Sequence, residues 1–163
     1  MVYLPATRMK SNCYNSMYSG CISLTTAKKL PSTILEMECY ELMFSGCTNL
    51  TTVPSDMLPA TKLHHGCYRF MFHGCSKMTT APILQAETLV TSCYNGMFGN
   101  CSNLNYIKCL ATSINADDST TGWVDGVQTN SGIFVKDTSM NSWNVCNTLY
   151  NGIPCNWTVQ NAN

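Results

Sequence analysis

Cys39-Tyr40-Glu41-Leu42-Met43-Phe44-Ser45-Gly46-Cys47-Thr48-Asn49-Leu50-Thr51-Thr52-Val53-Pro54 is one copy of a pattern that returns along the chain. The Cys-Tyr pair recurs at Cys13-Tyr14, Cys67-Tyr68 and Cys93-Tyr94, in steps of 26, 28 and 26 residues. A second cysteine follows eight residues after each, at Cys21, Cys47, Cys75 and Cys101, with Met17-Tyr18, Met43-Phe44, Met71-Phe72 and Met97-Phe98 between. Aliphatic positions keep the same period at Leu24, Leu50, Met78 and Leu104, and again at Leu30, Leu58, Leu84 and Leu110. A period of this length identifies repeated units that bury their apolar sides only by stacking on one another. The single 28-residue step is absorbed by two extra residues in Pro54-Ser55-Asp56-Met57, which a surface loop tolerates.

Within a unit, Tyr40, Met43, Phe44 and Cys47 are spaced i, i+3, i+4, i+7, which predicts one buried face of a two-turn helix. Gly20, Gly46, Gly74 and Asn100 follow that segment, and these residue types favour positive φ, as at a helix C-cap. Leu-Thr-Thr-Ala/Val then reads as a very short strand, stopped at Pro54 or Pro82. The expected class is an α/β repeat solenoid with short parallel strands, short helical turns and a C-terminal cap.

These residues closely resemble BspA-like leucine-rich repeats of bacterial surface proteins. The motif is Cys-Tyr-x-x-Met-Phe-x-Gly-Cys-x-x-Leu-Thr-x-Ala-Pro, with Leu-Pro-Ala-Thr at Leu4 to Thr7 and Leu58 to Thr61. The tail from Gly132-Ile133-Phe134-Val135-Lys136 to Trp157-Thr158-Val159-Gln160 resembles a segment that closes such arrays in anaerobic gut bacteria. Gln85 and Ala111 depart from the pattern by replacing its Pro. The resemblance implies leucine-rich repeats over residues 1–112 and a capping segment over 113–163. It also implies a non-catalytic adhesion or protein-binding module, extracellular or at a bacterial cell surface. A receptor-binding part of a phage tail, hence a virion protein, is the alternative, and fold alone does not choose between them.

Past Asn115 the period fades. Asp118 or Ser119 is expected to cap a short helix carrying Trp123 and Val127, and Ile133 to Lys136 and Trp157 to Gln160 are strand candidates. Trp123, Trp143 and Trp157 all lie in this segment, either as core bulk or as an aromatic platform. The chain enters in mid-repeat at Leu4, so contact with further repeats or another chain is expected at the N-terminal end.

The eleven cysteines are weighed by geometry. Eight residues of helix rise about 12 Å, beyond the roughly 4.4 to 6.8 Å a disulfide allows between α-carbons. Cys13, Cys39, Cys67 and Cys93, and likewise Cys21, Cys47, Cys75 and Cys101, are therefore expected as two ladders of free thiols acting as small hydrophobes. Cys109, Cys146 and Cys155 remain as disulfide candidates. No close Cys pair suits zinc. Asp117-Asp118-Ser119-Thr120-Thr121-Gly122 has the oxygens of a calcium loop but Gln128 in place of the bidentate Glu, so no metal is expected.

Lys plus Arg equals Asp plus Glu at 9 each, which supplies no field for nucleic acid. No stretch approaches the roughly 18 apolar residues of a spanning helix, and no membrane insertion is expected. His64, His65 and His73 lack a nucleophile, an orienting carboxylate or an oxyanion motif beside them, so neither catalysis nor a cofactor is expected. A protein or glycan ligand would meet the side chains that vary from unit to unit. These are Lys28, Lys29, Leu42, His64, His65, Arg69, Phe70 and His73.

Overall fold

The computed structural model describes residues 4–146 and 152–163. The backbone of the motif segment explains the fold. The N–H groups of Glu38, Tyr40, Leu42, Phe44 and Gly46 donate to the carbonyls of His65, Cys67, Arg69, Met71 and His73 in the next unit, at 2.8–3.0 Å. The intervening Cys39, Glu41, Met43, Ser45 and Cys47 close turns onto Glu36, Glu38, Tyr40, Leu42 and Phe44, each three residues back. Half of the donors thus tighten the segment's own turns, and half tie it to its neighbour. Each of these ten N–H groups finds a partner without a helix.

This arrangement corrects the expected α/β repeat solenoid with helical turns. The described residues contain no helix, and their regular structure is five short strands in two small parallel sheets. The helix expected over Trp123 and Val127 is also absent. The physical reason lies in φ. Glu38, Leu42 and Gly46 adopt positive values of 53°, 55° and 73°, and Gly66, Phe70 and Gly74 do the same in the next unit. A left-handed residue at every fourth position interrupts any right-handed helix. It also gives the segment a four-residue period, which over two turns buries almost the same positions as a period of 3.6. Tyr40, Met43, Phe44 and Cys47 are accordingly all fully buried.

Side chains follow the same register. Tyr14, Tyr40, Tyr68 and Tyr94 stack with ring centroids 6.0–6.2 Å apart. Tyr18, Phe44, Phe72 and Phe98 form a second column at 5.6–5.8 Å. The thiols of Cys47, Cys75 and Cys101 donate to the carbonyls of Tyr18, Phe44 and Phe72, at 3.0, 3.2 and 3.1 Å.

The pairing continues where the sequence loses its period. Ser92, Tyr94, Gly96, Phe98 and Asn100 donate to the carbonyls of Asp117, Ser119, Thr121, Trp123 and Asp125. Ser119, Thr120, Trp123, Val124 and Val127 thus occupy the places of Cys93, Tyr94, Met97, Phe98 and Cys101, and all five are buried. Trp123, in the Met97 position, packs against Phe98 at 6.2 Å, stacks on Trp143 at 5.1 Å, and donates its indole N–H to the Gly152 carbonyl. All three tryptophans are buried core material.

The Thr-Thr segments are joined by single bridges, Thr26 to Thr52 and Thr80 to Tyr106, rather than by strands. Regular strands begin at β1 (Tyr106–Cys109), which pairs in parallel with β2 (Gly132–Lys136). β3 (Asn144–Val145) pairs with β4 (Gly152–Ile153), and β5 (Trp157–Asn161) completes the larger sheet in the order β1-β2-β5. β2 and β5 lie where strands are expected. Cys146 and Cys155 form a disulfide, and Cys109 is free and buried.

Candidate functional site

The groups best suited to covalent chemistry are enclosed. Burial pushes the thiols of Cys39, Cys47 and Cys93 up to about 11, and those of Cys101 and Cys109 up to about 12. A protonated, enclosed thiol is a poor nucleophile at neutral pH. Two motif cysteines of the first unit are exceptions: Cys21 is exposed and Cys13 half-buried. Among the described residues, no group of three His, Cys, Asp or Glu is placed to hold a metal ion. The Asp117 to Gly122 stretch serves the stack instead: the Asp117 carbonyl accepts from Ser92, and the Asp118 carboxylate accepts from the Thr121 hydroxyl.

The variable side chains do not converge on one site. Lys28 is exposed, and Lys29 forms an exposed ion pair with Asp56, Nζ to Oδ2 2.7 Å, inside the two-residue insertion. The Lys29 hydrogen bond holds the Asp56 carboxyl below its usual range. Arg69 is occupied within the fold. Its guanidinium lies 2.6 Å from Glu41 Oε1 and 3.4 Å from Glu38 Oε1, while Asn15 donates to the other oxygen of Glu41. Glu41 is buried, so this network satisfies a carboxylate that would otherwise be costly to enclose. His64 is exposed and its Nδ1 accepts the His65 N–H, and the carbonyl of half-buried His65 accepts the Glu38 N–H.

Leu42 and Phe70 occupy equivalent positive-φ positions and are half-buried. Phe70 meets His73 edge to face at 5.7 Å and lies over Gly96, where a Cβ would stand 2.1 Å from the ring. His73 lies 3.2 Å from the Asn100 amide and covers Gly99. Together they border a shallow groove of about 220 Å³.

A larger opening, about 510 Å³, lies elsewhere, and none of the variable side chains singled out from the sequence lines it. Thr61, Lys62 and Leu63 form one wall and Gln85, Glu87, Thr88 and Val90 the other. The equivalent loops are joined coil to coil by Met9 N–H to the Ile34 carbonyl and Thr112 N–H to the Glu87 carbonyl. Among the described residues, the backbone of 59–63 makes no hydrogen bond to either neighbouring coil. The two legible signals were the insertion at Pro54 to Met57 and the loss of Pro at Gln85, which flank this opening.

Compared with protein-family models, curated proteins and solved structures, the chain matches none.

Proposed function

We propose that this chain is a non-catalytic binding or adhesion module of a secreted or cell-surface bacterial protein, recognising a protein or glycan. One observation carries the reading. Interior positions repeat from coil to coil and are closed by stacking, while the side chains that differ, Lys28, Lys29, His64, Phe70 and His73 among them, lie at or near the surface. Enclosed protonated thiols, and an arginine already held by two glutamates, leave little for acid-base or nucleophilic chemistry. The motif-level resemblance to BspA-like surface proteins supports the same reading.

The N-terminal face belongs to this proposal. The carbonyls of Asn15, Met17 and Ser19 accept no hydrogen bond among the described residues, and Met17 and Ile22 are exposed beside them. That edge suits a further coil or another chain that brings N–H donors at every second residue. The test is a binding screen of the purified chain against arrayed glycans and host extracellular proteins. Saturable, competable binding is expected, whereas turnover of ester, peptide, glycoside or phosphoryl substrates would overturn the reading.

A further inference from the structure

We propose that the slit between Thr61–Leu63 and Gln85–Val90 binds an extended peptide through its backbone, with the Lys62 and Glu87 side chains selecting its charges; this rests on the chain being a binding module. The slit opens on one side of the 59–63 segment, whose backbone is hydrogen-bonded to neither neighbouring coil among the described residues. It is closed at one end by Ile83 N–H to the Ser55 carbonyl (2.9 Å) and by the Gln85 amide to the Leu58 carbonyl (3.4 Å). It is closed at the other end by Gly66 N–H to the Thr91 carbonyl (3.2 Å). Between those closures, the N–H groups of Thr61, Lys62 and Leu63 on one wall and of Gln85, Glu87 and Thr88 on the other find no protein acceptor among the described residues.

Peptide N–H and C=O groups demand partners, and an added strand is the ligand that supplies both in alternation. The side chains fit that occupant. Leu63 and Val90 are half-buried apolar residues, and Lys62 and Glu87 are exposed on opposite walls with no ion pair to each other. An acidic ligand side chain would therefore face Lys62 and a basic one Glu87. A glycan is the poorer match, because no aromatic ring lines the slit to stack on a sugar.

The test titrates the ¹⁵N-labelled full chain with acetyl-Val-Glu-Thr-Lys-Val-amide, and with the same peptide N-methylated at alternate residues. Amide shifts confined to Thr61, Lys62, Leu63, Gln85, Glu87 and Thr88 are expected, with slowed exchange at those amides and no binding of the methylated peptide. Replacing Lys62 and Glu87 together by Ala, both exposed, should weaken binding about threefold to tenfold, the effect of two exposed ion pairs. Absence of shifts at those amides, or equal binding of the methylated peptide, would overturn the proposal. If a partner from the screen binds that double variant unchanged while the peptide moves no slit amide, the slit assignment fails and the module reading stands.

Discussion

Gly96 and Gly122 separate two reasons why a residue must be small. Both have positive φ, but a Cβ at Gly96 would stand 2.1 Å from the Phe70 ring, whereas one at Gly122 meets nothing within 4 Å. Gly96→Ala should cost about 2 to 4 kcal/mol, combining overpacking with a left-handed alanine, and Gly122→Ala about 1 kcal/mol. Urea unfolding measures both, and Phe70→Ala should remove most of the excess at Gly96. Arg69 gives a second contrast. Arg69→Ala leaves the buried Glu41 carboxylate with Asn15 as its remaining partner and should cost about 2 kcal/mol, while Lys29→Ala, at a solvent-exposed pair, should lower stability far less. Equal losses for the two would show that the Arg69 network contributes no more than a surface contact. At this scale the sequence was partly readable. Gly20, Gly46, Gly74 and Asn100 advertise positive φ by their chemistry, and all four have it. Leu42 and Phe70 have it too, and nothing in a leucine or phenylalanine side chain announces a left-handed backbone; inter-coil hydrogen bonds hold them there.

The element is the turn-rich coil, and its cysteines report whether the coils stack as described. Native protein should react with a thiol reagent first at exposed Cys21 and more slowly at half-buried Cys13. The other seven free thiols are buried and should react only on unfolding. In denaturant without reductant nine thiols should titrate, because Cys146 and Cys155 are joined. Prompt native labelling of Cys47, Cys75 or Cys101 would contradict the thiol column. Mass mapping of the labelled peptides assigns each site. The spacing matches the buried positions of the inner units, Tyr40, Met43, Phe44 and Cys47 among them, but Met17 and Cys21 of the first unit are exposed, and the expected helical backbone is absent. Spacings of three and four residues satisfy a helix and a chain of four-residue turns equally over a segment this short, and only the destination of each N–H tells them apart.

For the whole molecule, enclosure of so many thiols makes stability fall in alkali. An unfolded thiol ionises near about 8.5, whereas native Cys101 and Cys109 hold their protons to about 12. Between those values the unfolded chain binds fewer protons than the native one, so stability is complete below about pH 8.5 and declines as pH rises toward about 12. Each of these two thiols contributes a slope of up to about 1.4 kcal/mol per pH unit. Urea midpoints measured from pH 7 to 10.5 should fall progressively, and Cys109→Ala should flatten the decline; a pH-independent midpoint would refute it. The repeat period, the alternation of enclosed and variable positions, the strands at Ile133 and Trp157 and the sites suited to positive φ were determined by the sequence alone, because each depends on local composition or on spacing. The helix-free backbone, the coil built from Asp117 to Val127, the disulfide partner of Cys146 and the slit beside Lys62 were decided only in three dimensions. Each of these depends on which distant backbone group or side chain completes a hydrogen bond or fills a column, and residue spacing within one unit does not encode that choice.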